Sequence, residues 1–285
     1  MGFFYAMEKQ DAFSRPFPHA PGRLMACEKT MARETGWFGM RGEQGDRMEA
    51  IKQEMKQYWS RRAEKFSALR QREFACEKHE QWVAELDRYL PQGKKLNILD
   101  IGTGTGFFAF LLAEKGHRVT GLDLTPDMIR EAKKLAGRLS LPVDFLVMDA
   151  EQPSFPPASF DAIVTRKLTW TLPHLPAAYL AWHGLLKPGG VLVNFDADYC
   201  RETHGAALPP HHAHEDVGDD LMQEYERMKQ VLRPKQLPRP QWDAELLRQA
   251  GFSNISVDTG VWSRVYAEKD EFYDPTPGFA ISATA

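Results

Sequence analysis

The residues best suited to chemistry are three acids and a cluster of glycines. Asp100 ends the apolar run "LNILDI", and Gly102, Gly104 and Gly106 follow it at alternate positions in "GTGTG". Glycine weakens helix and strand interiors, so such a cluster needs a local reason. A glycine loop after a buried strand lets a ligand approach the backbone. The helix that follows aims its free N–H groups at the ligand's negative groups. Asp123 closes a second apolar run, "RVTGLDL". A carboxylate there can accept from both hydroxyls of a ribose, and charge-assisted bonds of that kind are each worth ~1.5–3 kcal/mol. Asp149 closes a third run in "VMDAE". It can accept from an adenine amino group while the Ala150 N–H donates to the ring. The G-x-G-x-G spacing differs from the G-x-G-x-x-G dinucleotide fingerprint.

A second group of residues follows the fourth and fifth apolar runs. "TRKLTWTLPHLP" holds Arg166, Trp170 and His174, with His174 the candidate general base. "NFDADY" sets Asp196, Asp198 and Tyr199 at the carboxyl end of the fifth run, where open α/β sheets bind ligands. Two acids beside an aromatic wall point to a cationic or amine partner. Plainer readings stand beside these: His174 as a loop cap and Asp198 as a helix N-cap. In "HHAHEDVGDD", His211, His212 and His214 with Glu215 and Asp216 are metal-ligand types. The commoner reading is a polar loop before an acid-rich helix start, so no metal is assigned. His214 is then a candidate for substrate contact.

These residues need elements to hold them. Strands are expected at "LNILDI", "RVTGLDL", "PVDFLVMD", "FDAIVT" and "GVLVNFD", with helices at about 106–115, 126–139 and 176–186. Continuous apolar strands separated by helices imply a doubly wound, mostly parallel sheet covered on both faces. "NISVDT" and "GFAISATA" read as further strands, and "DAELLRQAGF" as a helix stopped at Gly251. Residues 48–92 read as helical. Ile51, Met55, Tyr58, Trp59, Arg62 and Phe66 form one stripe at helical spacing, serving core packing or ligand contact. Residues 1–47 read as an irregular extension, 93–285 as the main domain, and about 199–240 as an insertion or lid.

Composition narrows the partners. The chain has 285 residues, 43% hydrophobic and 26% charged, with 36 basic and 39 acidic residues for a net charge of −3. No basic cluster suits nucleic acid, and no apolar run approaches the ~18–20 residues of a membrane span. Three scattered cysteines fit a reducing, cytoplasmic setting. The apolar start is too short for a secretory signal.

The ordered set "LDIGTGTG", "GLDLTPDMIREA", "VMDAEQPSFPPASFDAIVTR" and "LLKPGG" resembles the class I S-adenosylmethionine-dependent methyltransferases, over roughly residues 50–285. "NFDADY" is similar to a bacterial branch of that family. The resemblance implies a seven-stranded sheet of order 3-2-1-4-5-7-6, with an antiparallel last strand, helices on both faces and an N-terminal helical cap. It implies S-adenosyl-L-methionine as cofactor and S-adenosyl-L-homocysteine as product. It also implies a small-molecule acceptor, no nucleic-acid or membrane partner, and a monomer or homodimer. Carried over by position, Tyr58, Arg62, Asp100, Gly102, Thr103, Gly104, Asp123, Leu124, Met128, Asp149, Ala150 and Arg166 hold the cofactor. Arg166 and His174 are the catalytic candidates. Trp170, His174, Asp196, Asp198, Tyr199 and His214 face the acceptor. Two rivals remain: a non-catalytic module that binds the same cofactor, and an NAD-dependent oxidoreductase.

Overall fold

The computed structural model describes residues 43–201, 217–233 and 238–285. Helices α1 (Glu43–Phe74) and α2 (Lys78–Tyr89) come first. The sheet strands are β1 (Asn97–Ile101), β2 (Arg118–Asp123), β3 (Val143–Val147), β4 (Phe160–Arg166), β5 (Leu186–Ala197), β6 (Ser253–Asp258) and β7 (Gly278–Thr284). Between them run α3 (Phe107–Glu114), α4 (Pro126–Leu139), α5 (Leu175–Leu185), α6 (Asp219–Leu232), α7 (Gln241–Gln249) and α8 (Val261–Val265). The extension expected over 1–47 lies outside the described residues, apart from the start of α1. So do residues 202–216 and 234–237 of the expected lid.

The strand order is β3-β2-β1-β4-β5-β7-β6. β1 to β5 pair in parallel, and β7 runs antiparallel to both β5 and β6. This is the order and the antiparallel last strand that the sequence leads one to expect. The apolar runs are continuous because the central strands are covered twice. Ile98 joins a core with Trp82, α3, α4 and α8, and its neighbour Leu99 joins a second core with α5 and α7. That alternation follows from the two-residue period of a strand. α3 is apolar all round, and Phe107 to Ala113 are all buried. α4 begins with Pro126 at its first turn, where the missing N–H costs nothing. Among the described residues no helix is long and apolar enough to cross a membrane.

α1 crosses the strand tips. Lys52 bonds Asp149 beyond β3 at 2.9 Å, and Ser60 bonds Asp127 at the start of α4. Phe66 faces Gly104 beyond β1, and Glu73 pairs with Arg166 at the end of β4 at 2.6 Å. At 1.5 Å per residue this path is about 32 Å long.

A buried charge cluster anchors the far end of β5. The Arg239 guanidinium donates to both oxygens of Asp243, at 2.7 and 2.6 Å, and to Asp196 at 3.2 Å. Tyr179 adds a bond to Asp243 at 2.6 Å, and both carboxylates are fully buried. Removing a single partner from such a cluster leaves bare charge in the core, at a cost of about 3–5 kcal/mol. Arg239→Met is therefore expected to lower unfolding free energy by about that amount, read as a shifted urea midpoint with an unchanged slope.

Candidate functional site

A cavity of about 280 Å³ opens at the tips of β1 to β4. α1 lines it with Lys52, Met55, Trp59, Arg62, Phe66 and Arg70. These six recur every three or four residues, with Lys56 beside them, so one helix face supplies one wall.

The floor is the loop after β1. Gly102, Gly104 and Gly106 all take positive φ, at 69°, 54° and 95°. A Cβ on Gly102 would come within 2.7 Å of Leu168, and one on Gly106 within 2.6 Å of Phe110. The loop thus needs glycine for conformation and for space. Two acids hold its shape. Asp123 accepts the Gly104 N–H at 3.1 Å through one oxygen and the Thr125 N–H at 2.8 Å through the other. Asp100 accepts the Thr103 hydroxyl at 2.7 Å. Burial pushes the Asp100 carboxyl up to about 7, against the Thr103 hydrogen bond that favours its charge. Asp123 is also raised by burial, with the Thr125 and Gly104 bonds opposing.

Beyond β3, Asp149 accepts the Glu151 N–H at 2.9 Å through one oxygen and Lys52 through the other. Lys52 also meets Glu151 at 2.5 Å, and Trp182 fixes the Ala150 carbonyl with a bond of 2.7 Å. Both Asp149 and Ala150 line the cavity. Beyond β4, the Arg166 guanidinium lies over the rings of Trp82 and Phe107, at 4.4 and 4.8 Å. It bonds Glu73 and, at 2.9 Å, the Tyr266 hydroxyl. Burial alone would raise the Glu73 carboxyl, but Arg166 and Arg70 hold it down at about 2.

Of the residues expected around the cofactor, Arg62, Asp100, Gly102, Thr103, Gly104, Asp123, Leu124, Met128, Asp149, Ala150 and Arg166 line this one cavity. Tyr58 does not. It is fully buried behind the wall, stacked on Tyr225 at 5.4 Å, and its hydroxyl accepts from Arg62 at 3.0 Å. Trp170 and Tyr199 line the cavity, with ring centres 5.5 Å apart.

Three expected residues are placed elsewhere. His174 is the N-cap of α5, its backbone N–H donates to Glu151, and it does not line the cavity. Asp196 is engaged by Arg239, Thr169 and the Trp170 N–H, because its side chain points into the core cluster. Asp198 accepts the Arg239 N–H at 3.1 Å and also lies outside the lining. The expectation of a cationic partner molecule rested on these two acids, and neither reaches the cavity. His214, and the whole stretch His211 to Asp216, lie outside the described residues.

Sequence reasoning missed several wall residues. Arg70 extends the α1 stripe by one turn, a signal that periodicity alone could have supplied, and Lys52 stands beside its first residue, Ile51. Lys167, in the left-handed region at φ 54°, bonds Asp274 at 2.6 Å, and Tyr199 bonds the same oxygen at 2.5 Å. This ties Phe272 to Thr276, the crossover before β7, into the cavity wall. From sequence, "VYAEKDEFYDPTP" reads equally as reaching the cleft or as an ordinary crossover, and here Phe272 to Thr276 line the cavity.

The Asp100 carboxyl gives a pH signature. Its folded value near 7 exceeds the ordinary 3.8, so between those values the folded state holds a proton that the unfolded state has lost. Stability then falls as pH rises through that window. Asp100→Asn is expected to gain on the wild type across the same interval, by several kcal/mol, and to run parallel to it above about 7. Urea unfolding of both proteins at a series of pH values checks the sign and the window.

Residues 98–190 match the family model described as a methyltransferase domain. Phosphoethanolamine N-methyltransferase 1 of Arabidopsis thaliana is 40% identical over 114 residues, covering 39% of this chain and 22% of that protein. Aklanonic acid methyltransferase DauC of Streptomyces sp. (strain C5) is 35% identical over 136 residues, covering 43% of this chain and 61% of that one. The chain thus spans less than two thirds of the length of these curated relatives. Among solved structures, Haemonchus contortus phosphoethanolamine N-methyltransferase 2 in complex with S-adenosyl-L-methionine aligns with a TM-score of 0.53. The identity is 21%, over 72% of this chain and 52% of that one. The [4+2]-cyclase SpnF aligns at 0.50 with 19% identity, over 72% of this chain and 79% of that one, so this likeness concerns architecture and not reaction. The described chain shares its fold with methyltransferases of known structure, and the matched span 98–190 carries the glycine loop, both acids that hold it, and the tips of β3 and β4.

Proposed function

We propose that the chain is an S-adenosylmethionine-dependent methyltransferase acting on a small-molecule acceptor. The observation that carries this reading is the bare loop at Gly102–Gly106, held by Asp123 through the Gly104 N–H. The residues present fit a sulfonium nucleoside. Gly102 and Gly104 both line the cavity, and a Cβ at Gly102 would collide with Leu168, so bare backbone forms the floor at these two positions. Asp123 stands where ribose hydroxyls would lie. Asp149 and Ala150 stand at the next strand tip, the position we assign to the edge of an adenine, with Leu124 and Met128 in the same wall.

When bound, the cofactor supplies a methyl group already activated by the positive sulfur. The protein's task is then positioning, which contributes up to ~7–11 kcal/mol in well-oriented systems. Here Asp123, Asp149 and the glycine loop hold the donor. Trp59, Phe66, Trp170 and Tyr199 surround the remaining space and exclude water. Within the family we assign the chain to the bacterial branch with "NFDADY", whose Asp196 and Asp198 here engage Arg239.

A non-catalytic binding module would share the cofactor grip but release no product. Incubation with S-adenosylmethionine and metabolite extracts is expected to yield S-adenosylhomocysteine above the rate without extract. Tight binding with no such product from any extract would favour the module. For the grip itself, Asp123→Ala is expected to weaken S-adenosylhomocysteine binding about ten- to a hundredfold in calorimetry, the loss of one charge-assisted bond. Asp123→Asn should weaken binding too, since its amide NH2 would face the Gly104 or Thr125 N–H that a carboxylate oxygen accepts.

A further inference from the structure

Two guanidiniums at the β4 end of the cavity share one carboxylate. Arg70 bonds one oxygen of Glu73, and Arg166 spans both, at 2.6 and 3.3 Å. Trp82 adds a fourth donor to Glu73 at 3.2 Å. Glu73 is fully buried, and both arginine side chains are at least nine-tenths buried while lining the cavity. The Nε–H groups of Arg70 and Arg166 are both buried, and neither has an acceptor among the described residues. Buried donors without partners are rare and costly.

The charge balance points the same way. At this end, among the described residues, Arg70, Arg166 and Lys167 pair with two carboxylates, Glu73 and Asp274, while Asp100 attracts Arg166 without a bond to it. Asp100, the next acid, is bonded by Thr103 within the glycine loop. The aromatic rings around the pair, Phe66 at 5.0 Å from Arg70 and Phe107 at 4.8 Å from Arg166, leave the guanidinium charge poorly hydrated. Such a site takes an anion with planar geometry in preference to a cation.

We infer that Arg70 and Arg166 form a subsite for a carboxylate carried by the methyl acceptor, so that the substrate class is an anionic aromatic or apolar acid. The inference rests on the methyltransferase reading above. Arg70 lies one helical turn beyond Phe66, which faces Gly104, and Arg166 lies beyond β4. The pair therefore flanks the donor on the side away from the adenine and ribose acids. The acceptor's negative group would meet the part of the guanidinium pair that lines the cavity, while Trp170 and Tyr199 pack its apolar body. The cofactor's own carboxylate shares this chemistry, and the test separates the two.

The probes are benzoate and its neutral counterpart benzamide, titrated by calorimetry and tryptophan fluorescence into the full chain saturated with S-adenosylhomocysteine. Benzoate is expected to bind at least about tenfold more tightly than benzamide. Arg70→Gln should abolish that preference and change S-adenosylhomocysteine affinity less than about threefold. Arg70→Lys, which keeps the charge but not the fork, should restore part of it. Three outcomes overturn the inference: no preference for benzoate in the wild type, a preference that survives in Arg70→Gln, or a tenfold loss of S-adenosylhomocysteine affinity in Arg70→Gln with 5′-methylthioadenosine unaffected. The last would hand the pair to the cofactor's carboxylate. If Arg70→Gln fails to fold, the wild-type comparison still decides, since equal affinities refute the subsite. Absence of any heat with S-adenosylhomocysteine would instead remove the methyltransferase reading itself.

Discussion

The short span of backbone between β1 and α3 is the constraint that the rest of the site serves. Its three positive-φ glycines keep side chains off the floor at those positions, where a Cβ would meet Leu168 at Gly102 and Phe110 at Gly106. Such a turn would collapse without something to hold it open. Asp123 does this by bridging Gly104 and Thr125, and so joins the tips of β1 and β2. The same carboxylate that shapes the loop is the one we propose for a ribose. Shape and recognition therefore cannot be separated at this position, and the desolvation of Asp123 and Asp100 is the cost of having both.

Much of the scaffold was legible because buried parallel strands carry a plain signal. "LNILDI", "RVTGLDL" and "GVLVNFD" are apolar on both faces because α2–α4 and α8 cover one side and α5 and α7 the other. The acids at their tips were legible for a related reason: an acid ending an apolar run marks where the strand reaches the cavity. That rule fails at Asp196. It also ends an apolar run, but Arg239, far along the chain, reaches back and keeps it inside. No local pattern distinguishes an acid that faces solvent from one that meets a distant arginine. His174 was misjudged similarly, since its place at the start of α5 is set by Glu151 and not by its own neighbours.

The wall opposite the glycine loop was the least legible part. The α1 stripe reads equally as core packing, and it serves both ends: Tyr58 turns inward while Trp59, Arg62 and Phe66 turn to the cavity. Glu73 and the crossover residue Asp274 gain their meaning only from partners Arg166 and Lys167 at the tip of β4. Charge pairs across long sequence separations are a product of topology. They follow once the strand order is known and are invisible before.

The path of α1 has a consequence for how far a change within it would spread. One continuous helix touches the β3 tip through Lys52, the start of α4 through Ser60, the glycine loop through Phe66 and the β4 tip through Glu73. The glycine loop and the acids that hold it belong to the sheet, whereas Trp59, Arg62, Phe66 and Arg70 all arrive on this one helix. A change in its second half would therefore reach the glycine loop and the β4 tip together, through Phe66 and Glu73.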